Sequence, residues 1–223
     1  HNHPVIDDYL QKDYYGIYAF LNRTYLFKPD KKKPGVLAER PSGGVAFKSV
    51  FTGDAGVSRP RLLDERQLDE PAIASGQEYK VKPDKKKKNL RPVPTYSRRE
   101  QLAKLVRDGN NRYFARNMAN RLWAMVMGRG LVEPVDLHHS DNPPSHPELL
   151  DYLAWYFTTH HWSMKNLHKH ILMSNTCQQT SDDNPRYSIK DPNNVYYYKM
   201  DRPRLDFEAF RDGMLTVAGK TDL

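Results

Sequence analysis

The chain has a single cysteine, Cys177, among 223 residues, so no disulfide can close within it. One thiol does not settle the compartment, because many exported bacterial proteins carry no disulfide. No apolar run approaches the roughly eighteen residues that a membrane-spanning helix needs. Three familiar catalytic signatures are also missing: a G-x-S-x-G elbow, a glycine-rich phosphate loop and an H-E-x-x-H pair. Hydrophobic residues make up only 38%, and the mean hydropathy is -0.83. The length still allows one or two domains with a real core, and 14 tyrosines help to build it. The balance reads as globular parts joined by much polar connecting chain.

Acidic residues are outnumbered, 27 against 35 basic ones, for a net charge of +8 and a pI near 9.4. Two runs, Lys31-Lys32-Lys33 and Lys85-Lys86-Lys87-Lys88, supply seven of the positive charges. Both sit beside proline and aspartate, as surface loops do. The ordinary reading is solvated surface. The alternative is an anionic partner: nucleic acid, anionic polysaccharide or a membrane surface. Aromatics do not interleave with these lysines and no nucleic-acid motif is present, so nucleic acid is not expected as a partner.

Tyr14, Ile17, Tyr18 and Leu21 fall at helical steps and predict a short helix over 9–21. Residues 28–44 read as a loop. Val45 to Phe51, between Gly44 and Gly53, is the best strand candidate, and 52–95 reads as an irregular connector with one or two short strands. From residue 97 the pattern changes. Ser97 and Glu100 form a capping-box pattern ahead of Leu102, Leu105 and Val106. A second helix over 112–127 carries a stripe of Phe114, Met118, Leu122, Met125 and Val126, with Gly128 as its stop. Ser145 and Glu148 suggest another capping box before Leu149, Leu150, Leu153, Ala154 and Phe157. Ser163 caps a helix with Leu167, Ile171 and Leu172. Asp206 caps a last one with Phe207, Phe210, Met214 and Val217, ended by Gly219. The expected fold is therefore mainly α: a helical domain of about five helices, a minor β segment near 45–60, and long irregular connectors.

Several strings resemble a known family. His1-Asn2-His3-Pro4 and Gln11 to Phe20 resemble the end of one planctomycete-type domain of unknown function. Phe114 to Trp123, Met127 to Val132, Pro143 to Asp151 and Arg202 to Asp212 resemble the domain that follows it. Together they are similar to the planctomycete cytochrome c-associated PSD family. The resemblance implies a large exported protein, periplasmic or at the cell surface, often with a c-type cytochrome domain. It divides the chain into 1–27, the end of a haem-associated domain; 28–95, an irregular or β connector; and 96–223, a helical domain cut on its C-terminal side. The chain reads as an excerpt of a larger protein.

In that family the His-x-His string typically follows Cys-x-x-Cys. His1 would then be the histidine of a haem c site, with neutral imidazole nitrogen as axial ligand. His1 and His3 could instead join two upstream cysteines in a zinc-like site, or be ordinary loop residues. The full-length protein is the candidate haem c carrier, and the chain alone is expected to hold no cofactor. A second candidate site lies at His138, His139, Asp141 and His146, three imidazoles and a carboxylate close enough in sequence to share a transition metal. Its alternatives are a structural loop and a surface for substrate or partner. Arg116, Asn120 and Arg121 share a helical face that could meet an anionic sugar, or bond neighbouring loops instead.

The leading expectation is an accessory module of an exported, cytochrome c-associated protein, acting in electron transfer or surface polysaccharide processing. Its partners would be a redox protein or a polysaccharide; oligomeric state and substrate are not legible. The alternatives are a carbohydrate-active enzyme with a site near 136–148 and an anion-binding module that uses the lysine loops.

Overall fold

A computed structural model of the chain describes residues 6–220, apart from 31, 33, 51, 52, 54, 65, 85, 88, 110 and 203. The chain forms two compact units. The first comprises residues 1–114 with 139–141, and the second 115–138 with 142–223. None of the described helices is long and apolar enough to cross a membrane.

The first unit opens with α1 (Gln11–Leu21). Leu10 precedes it, and the Asp13 carboxylate accepts from the Leu10 amide at 3.0 Å. Three antiparallel hairpins follow: β1 (Thr24–Phe27) with β2 (Val36–Glu39), β3 (Val45–Lys48) with β4 (Ala55–Ser58), and β5 (Tyr79–Val81) with β6 (Val93–Pro94). Each is a separate two-stranded sheet, too small to be stable alone, so the hairpins depend on packing. Ala19 and Phe20 of α1, Ala38, Val45 and Leu62 are buried there. Tyr15 stacks on Phe47 of β3 at 5.3 Å. α1 meets the loop after β4 closely at Gly16, whose carbonyl accepts from the Arg61 amide. A Cβ at Gly16 would lie 3.0 Å from the Arg61 oxygen, so a side chain there has little room.

α2 (Arg98–Val106) follows the hairpins. Its N-terminus is capped twice. Ser97 Oγ accepts from the Glu100 amide at 3.1 Å, as the sequence suggests. Glu100 pairs with Lys104 on the helix surface, and a second carboxylate caps the helix instead. The buried Glu39 of β2 accepts from the Ser97 hydroxyl and from the Arg98 amide at 2.8 Å. A carboxylate at a helix N-terminus is favoured by the free amides and the dipole. Arg98 is itself buried and reaches Glu70, the Ala19 carbonyl at 2.7 Å and Asn22.

The second unit packs α3 (Arg112–Met127), α4 (Pro147–Thr159) and α5 (Met164–Leu172) around one apolar core; the first residues of α3 belong to the first unit. Leu122, Trp123 and Met127 of α3 meet Leu150, Leu153 and Phe157 of α4 and Leu167 and Ile171 of α5. Two single-turn helices, α6 (Asn175–Gln178) and α7 (Pro185–Ser188), lead to α8 (Phe207–Val217). Gly128 and Gly219 end α3 and α8 with φ of 81° and 66°, in the left-handed region where glycine carries no Cβ penalty.

The expectation of a mainly α fold is overturned. There are eight helices among the described residues, but helix accounts for only 38% and strand for 12%, a mixed α/β chain with small sheets. The strands are two to four residues long, too short for alternation to stand out among the prolines and lysines of 28–95. Two helical stripes also differ from expectation. α3 buries Ala115, Ala119, Asn120, Leu122 and Trp123, while Met125 is 76% exposed. α8 forms with its Asp206 cap, 2.7 Å from the Ala209 amide, yet Phe207, Phe210, Met214 and Val217 are all exposed.

Candidate functional site

The sequence points to α3 and the loop after it, and the structure shows what each side chain there does. Asn120 is fully buried. Its Nδ2 donates to the Val132 carbonyl at 2.9 Å and the Val135 carbonyl at 3.3 Å, and its Oδ1 accepts from the Val132 amide at 3.0 Å. A buried amide satisfied this fully acts as a clasp that folds the 130–135 loop onto the helix. Gly130 is required beside it, since a Cβ would lie 2.4 Å from the Val132 oxygen. Asn142 and Ser145 close the same loop through the Leu137 and Leu131 carbonyls, both at 2.8 Å.

The arginines expected to meet a sugar are engaged by carboxylates. Arg116 pairs with Asp151 of α4 at 3.0 Å, and Arg121 pairs with Asp136 and bonds Asn117. Such partly exposed pairs contribute little to stability, but they do occupy the guanidinium faces. His138 lies among these charges. Burial pushes its imidazole below the ordinary range, and Arg116 and Arg121 add to that, against a Val135 backbone hydrogen bond and Asp136. It is therefore a neutral imidazole around pH 7.

The four residues expected to share a metal divide between the units: His138 and His146 belong to the second, His139 and Asp141 to the first. His146 precedes α4, and its ring lies 5.8 Å from both Tyr196 and Tyr197. The expected capping box at 145–148 is not formed, because Ser145 Oγ lies 3.0 Å from His146 Nδ1 and the residue preceding the helix is His146. In the first unit, Ser140 donates from both its amide and its hydroxyl to Asp8, at 2.6 and 2.8 Å. These bonds hold the Asp8 carboxyl below its usual range. Asp141 is exposed. Among the described residues, no group of three or more His, Cys, Asp or Glu side chains could hold a metal ion. His1 and His3 lie outside the described residues.

Two features of the second unit escaped sequence reasoning. The first is the 191–201 loop. Tyr197 and Asn194 are buried with φ of 55° and 51°, a strained conformation for side-chain-bearing residues. Hydrogen bonds hold them there. Trp123 Nε1 donates to the Tyr197 hydroxyl at 2.9 Å, which itself donates to the Arg129 carbonyl at 3.3 Å. Asn194 Nδ2 reaches the Lys199 carbonyl and Asp201, and Asp191 accepts from the amides of Val195 and Tyr196. Arg129 caps the loop through the Asn193 and Asn194 carbonyls, with its guanidinium 5.5 Å from the Tyr197 ring centre. The second is an aromatic stack between α4 and α5. The Tyr156 ring lies between His160 and His170, with centroids 3.8 and 4.2 Å away, and the Tyr152 hydroxyl is 3.0 Å from His170 Nε2. The four-residue step from 152 to 156 to 160 was a usable signal; the place of His170 depends on tertiary packing.

Residues 98–223, more than half of the chain, match the family PSD1, described as a protein of unknown function (DUF1553). The chain belongs to the PSD1 family. No curated protein and no solved structure matches it. The match to PSD1 begins at the buried Arg98 and takes in α2 through α8, so the Asn120 clasp, the Trp123–Tyr197 pair and the 191–201 loop all lie inside the family region. The three hairpins and α1 precede it.

Proposed function

We propose that this PSD1 chain is an accessory, non-catalytic module of an exported bacterial protein associated with a c-type cytochrome. The setting would be the periplasm or cell surface, with a role in electron transfer or surface polysaccharide processing, and a redox protein or polysaccharide as partner. The observation that supports an accessory role is the engagement of Arg116, Asn120 and Arg121. Arg116 and Arg121 are each paired with a carboxylate of the same unit, and Asn120 is the buried clasp of the 130–135 loop. The haem link is an expectation from the His1-x-His3 string, with haem c held by the full-length protein. Expression of the full-length gene product with c-type haem maturation tests it. Haem retained through denaturing electrophoresis, with a reduced-minus-oxidised visible spectrum, is the expected result. No retained haem, with a control cytochrome matured in the same cells, refutes it.

A second reading keeps a carbohydrate-active site near 136–148. It is favoured by His138, an imidazole held neutral among two arginines and Asp136, since perturbed titratable groups gather at reactive sites. Turnover of a polysaccharide that is lost in His138→Gln, with the fold intact, would support this reading over the accessory one.

A further inference from the structure

The chain's excess charge is confined to two loops. Residues 28–35 and 82–91 hold ten basic residues and two acidic ones, leaving twenty-five of each sign elsewhere. The whole +8 therefore resides in the β1–β2 and β5–β6 hairpin loops. Both contain the same hexapeptide, Lys-Pro-Asp-Lys-Lys-Lys, at 28–33 and 82–87. In each the aspartate accepts from the amide two residues on: Asp30 from Lys32 at 3.1 Å and Asp84 from Lys86 at 2.7 Å.

The first unit brings these loops to the same end. β2 and β6 are neighbours, and hydrogen bonds at their two ends show that they run in the same direction. At one end Arg91, just before β6, donates to the Leu37 carbonyl at 3.2 Å. At the other, Glu39 at the close of β2 accepts from Ser97 and Arg98, just after β6. Each lysine loop leads into the start of its strand, so both emerge where Leu37 and Arg91 meet. Lys28, Lys32, Lys82, Lys86, Lys87 and Arg91 are all exposed there.

Apolar side chains accompany them. Leu26 and Leu37 are cross-strand partners in the β1–β2 register, 56% and 52% exposed, and Leu90 of the second loop is 43% exposed. Clustered cations among exposed leucines complement a surface that is anionic outside and apolar beneath. A soluble polyanion would use the cations and gain nothing from the leucines. Lysine, a compact point charge, suits such a diffuse anionic surface better than a bidentate one. We propose that these two hairpin loops, with Leu26, Leu37 and Leu90, dock the first unit onto an anionic phospholipid bilayer.

The inference is independent of any haem, and the purified chain alone tests it, so either reading can fail without the other. Co-sedimentation is measured with vesicles of phosphatidylcholine and with vesicles of phosphatidylcholine and phosphatidylglycerol in equal parts. Binding only to the anionic vesicles, weakening as salt rises, is expected. Lys32→Gln, Lys86→Gln and Lys87→Gln together should lower partitioning on the order of a hundredfold, about fivefold per lysine. Lys12→Gln, Lys48→Gln and Lys104→Gln remove the same charge from elsewhere in the unit and should have much less effect. Leu37→Ser with Leu90→Ser should weaken binding several-fold at constant charge. Equal loss in the two lysine triples, indifference to the leucine changes, or binding to DNA or a sulfated polysaccharide without binding to vesicles would each overturn the proposal.

Discussion

Replacing Arg98 with Met tests whether the first unit is held by its buried ion network. The substitution keeps most of the alkyl volume and removes the guanidinium. Four contacts disappear: Nε to Glu70 at 2.8 Å, Nη2 to the second Glu70 oxygen, Nη1 to the Ala19 carbonyl at 2.7 Å and Nη1 to Asn22 at 3.3 Å. Glu70 keeps Arg23 at 2.9 Å, so its charge is not stranded. Ala19 is fully buried, and its carbonyl loses the Arg98 donor. Breaking a buried pair from one side costs about 3–5 kcal/mol, and the surviving Arg23 contact places this case near the lower end, about 3 kcal/mol. Amide hydrogen exchange across α1 and α2 reads the loss locally, where about 3 kcal/mol corresponds to opening on the order of a hundredfold more often. The acid limb gives a second readout. The hydrogen bond from Arg98 is the main cause that holds the Glu70 carboxyl below its usual range, opposed by burial and aided by Arg23. A carboxylate with a lowered folded pKa contributes stability at pH above the unfolded carboxylate range. That contribution is lost as pH falls from there through the folded pKa. The Met variant should show a shallower loss in that window. Protection within about fivefold of the parent, or an unchanged acid limb, would refute the network as a main support of the unit.

Three further outcomes follow from the second unit. Gly130→Ala forces a methyl to within 2.4 Å of the Val132 oxygen and should lower stability in urea by about 2 kcal/mol or more, through strain rather than lost contacts; a neutral result would mean the loop gives way easily. Tyr197→Phe leaves the buried Trp123 N–H without its acceptor while keeping the ring pair at 5.5 Å, and should cost about 1–3 kcal/mol, read by tryptophan fluorescence during unfolding. His138→Asn should flatten the stability loss that begins as pH drops below the ordinary imidazole range, because the folded form of this histidine resists the proton that the unfolded chain accepts; an identical pH profile in the variant would remove burial as the cause.

Local signals in the sequence were sound where the chemistry is local. Ser97, Ser163 and Asp206 cap the helices assigned to them, because a side-chain oxygen three residues before an amide needs no distant partner. Ser145 fails the same test: the amide of that residue is committed to Leu131, and its hydroxyl lies against His146. Periodicity was legible in α4, whose Leu150, Leu153 and Phe157 are buried as expected, and misleading in α3. There Met118, Leu122, Met125 and Val126 offer one stripe and Ala115, Ala119, Leu122 and Trp123 another. Trp123 and the buried Asn120 clasp decide for the second, which leaves Met125 exposed and Met118 and Val126 at the edge of the core. The β3–β4 hairpin was legible as the β segment expected near 45–60, while β1–β2 and β5–β6 were hidden by brevity, since a four-residue strand carries only two residues per face.

The candidate site shows the same limit. Residue types and spacing nominated Arg116, Asn120, Arg121, His138 and His146, which are found in the second unit, and His139 and Asp141, which are found in the first. What spacing could not show is which of them already have partners. Asp151 and Asp136 come from α4 and from the loop, and they turn two prospective ligand-binding cations into structural pairs. The cations of the two hairpin loops are a different case. Their excess is uncompensated by any acidic run in the chain. A run of lysines read along the sequence is an ordinary solvated loop. Two copies of one hexapeptide in loops that lead into neighbouring strands are a different case, and the bond from Arg91 to the Leu37 carbonyl ties the second loop to β2.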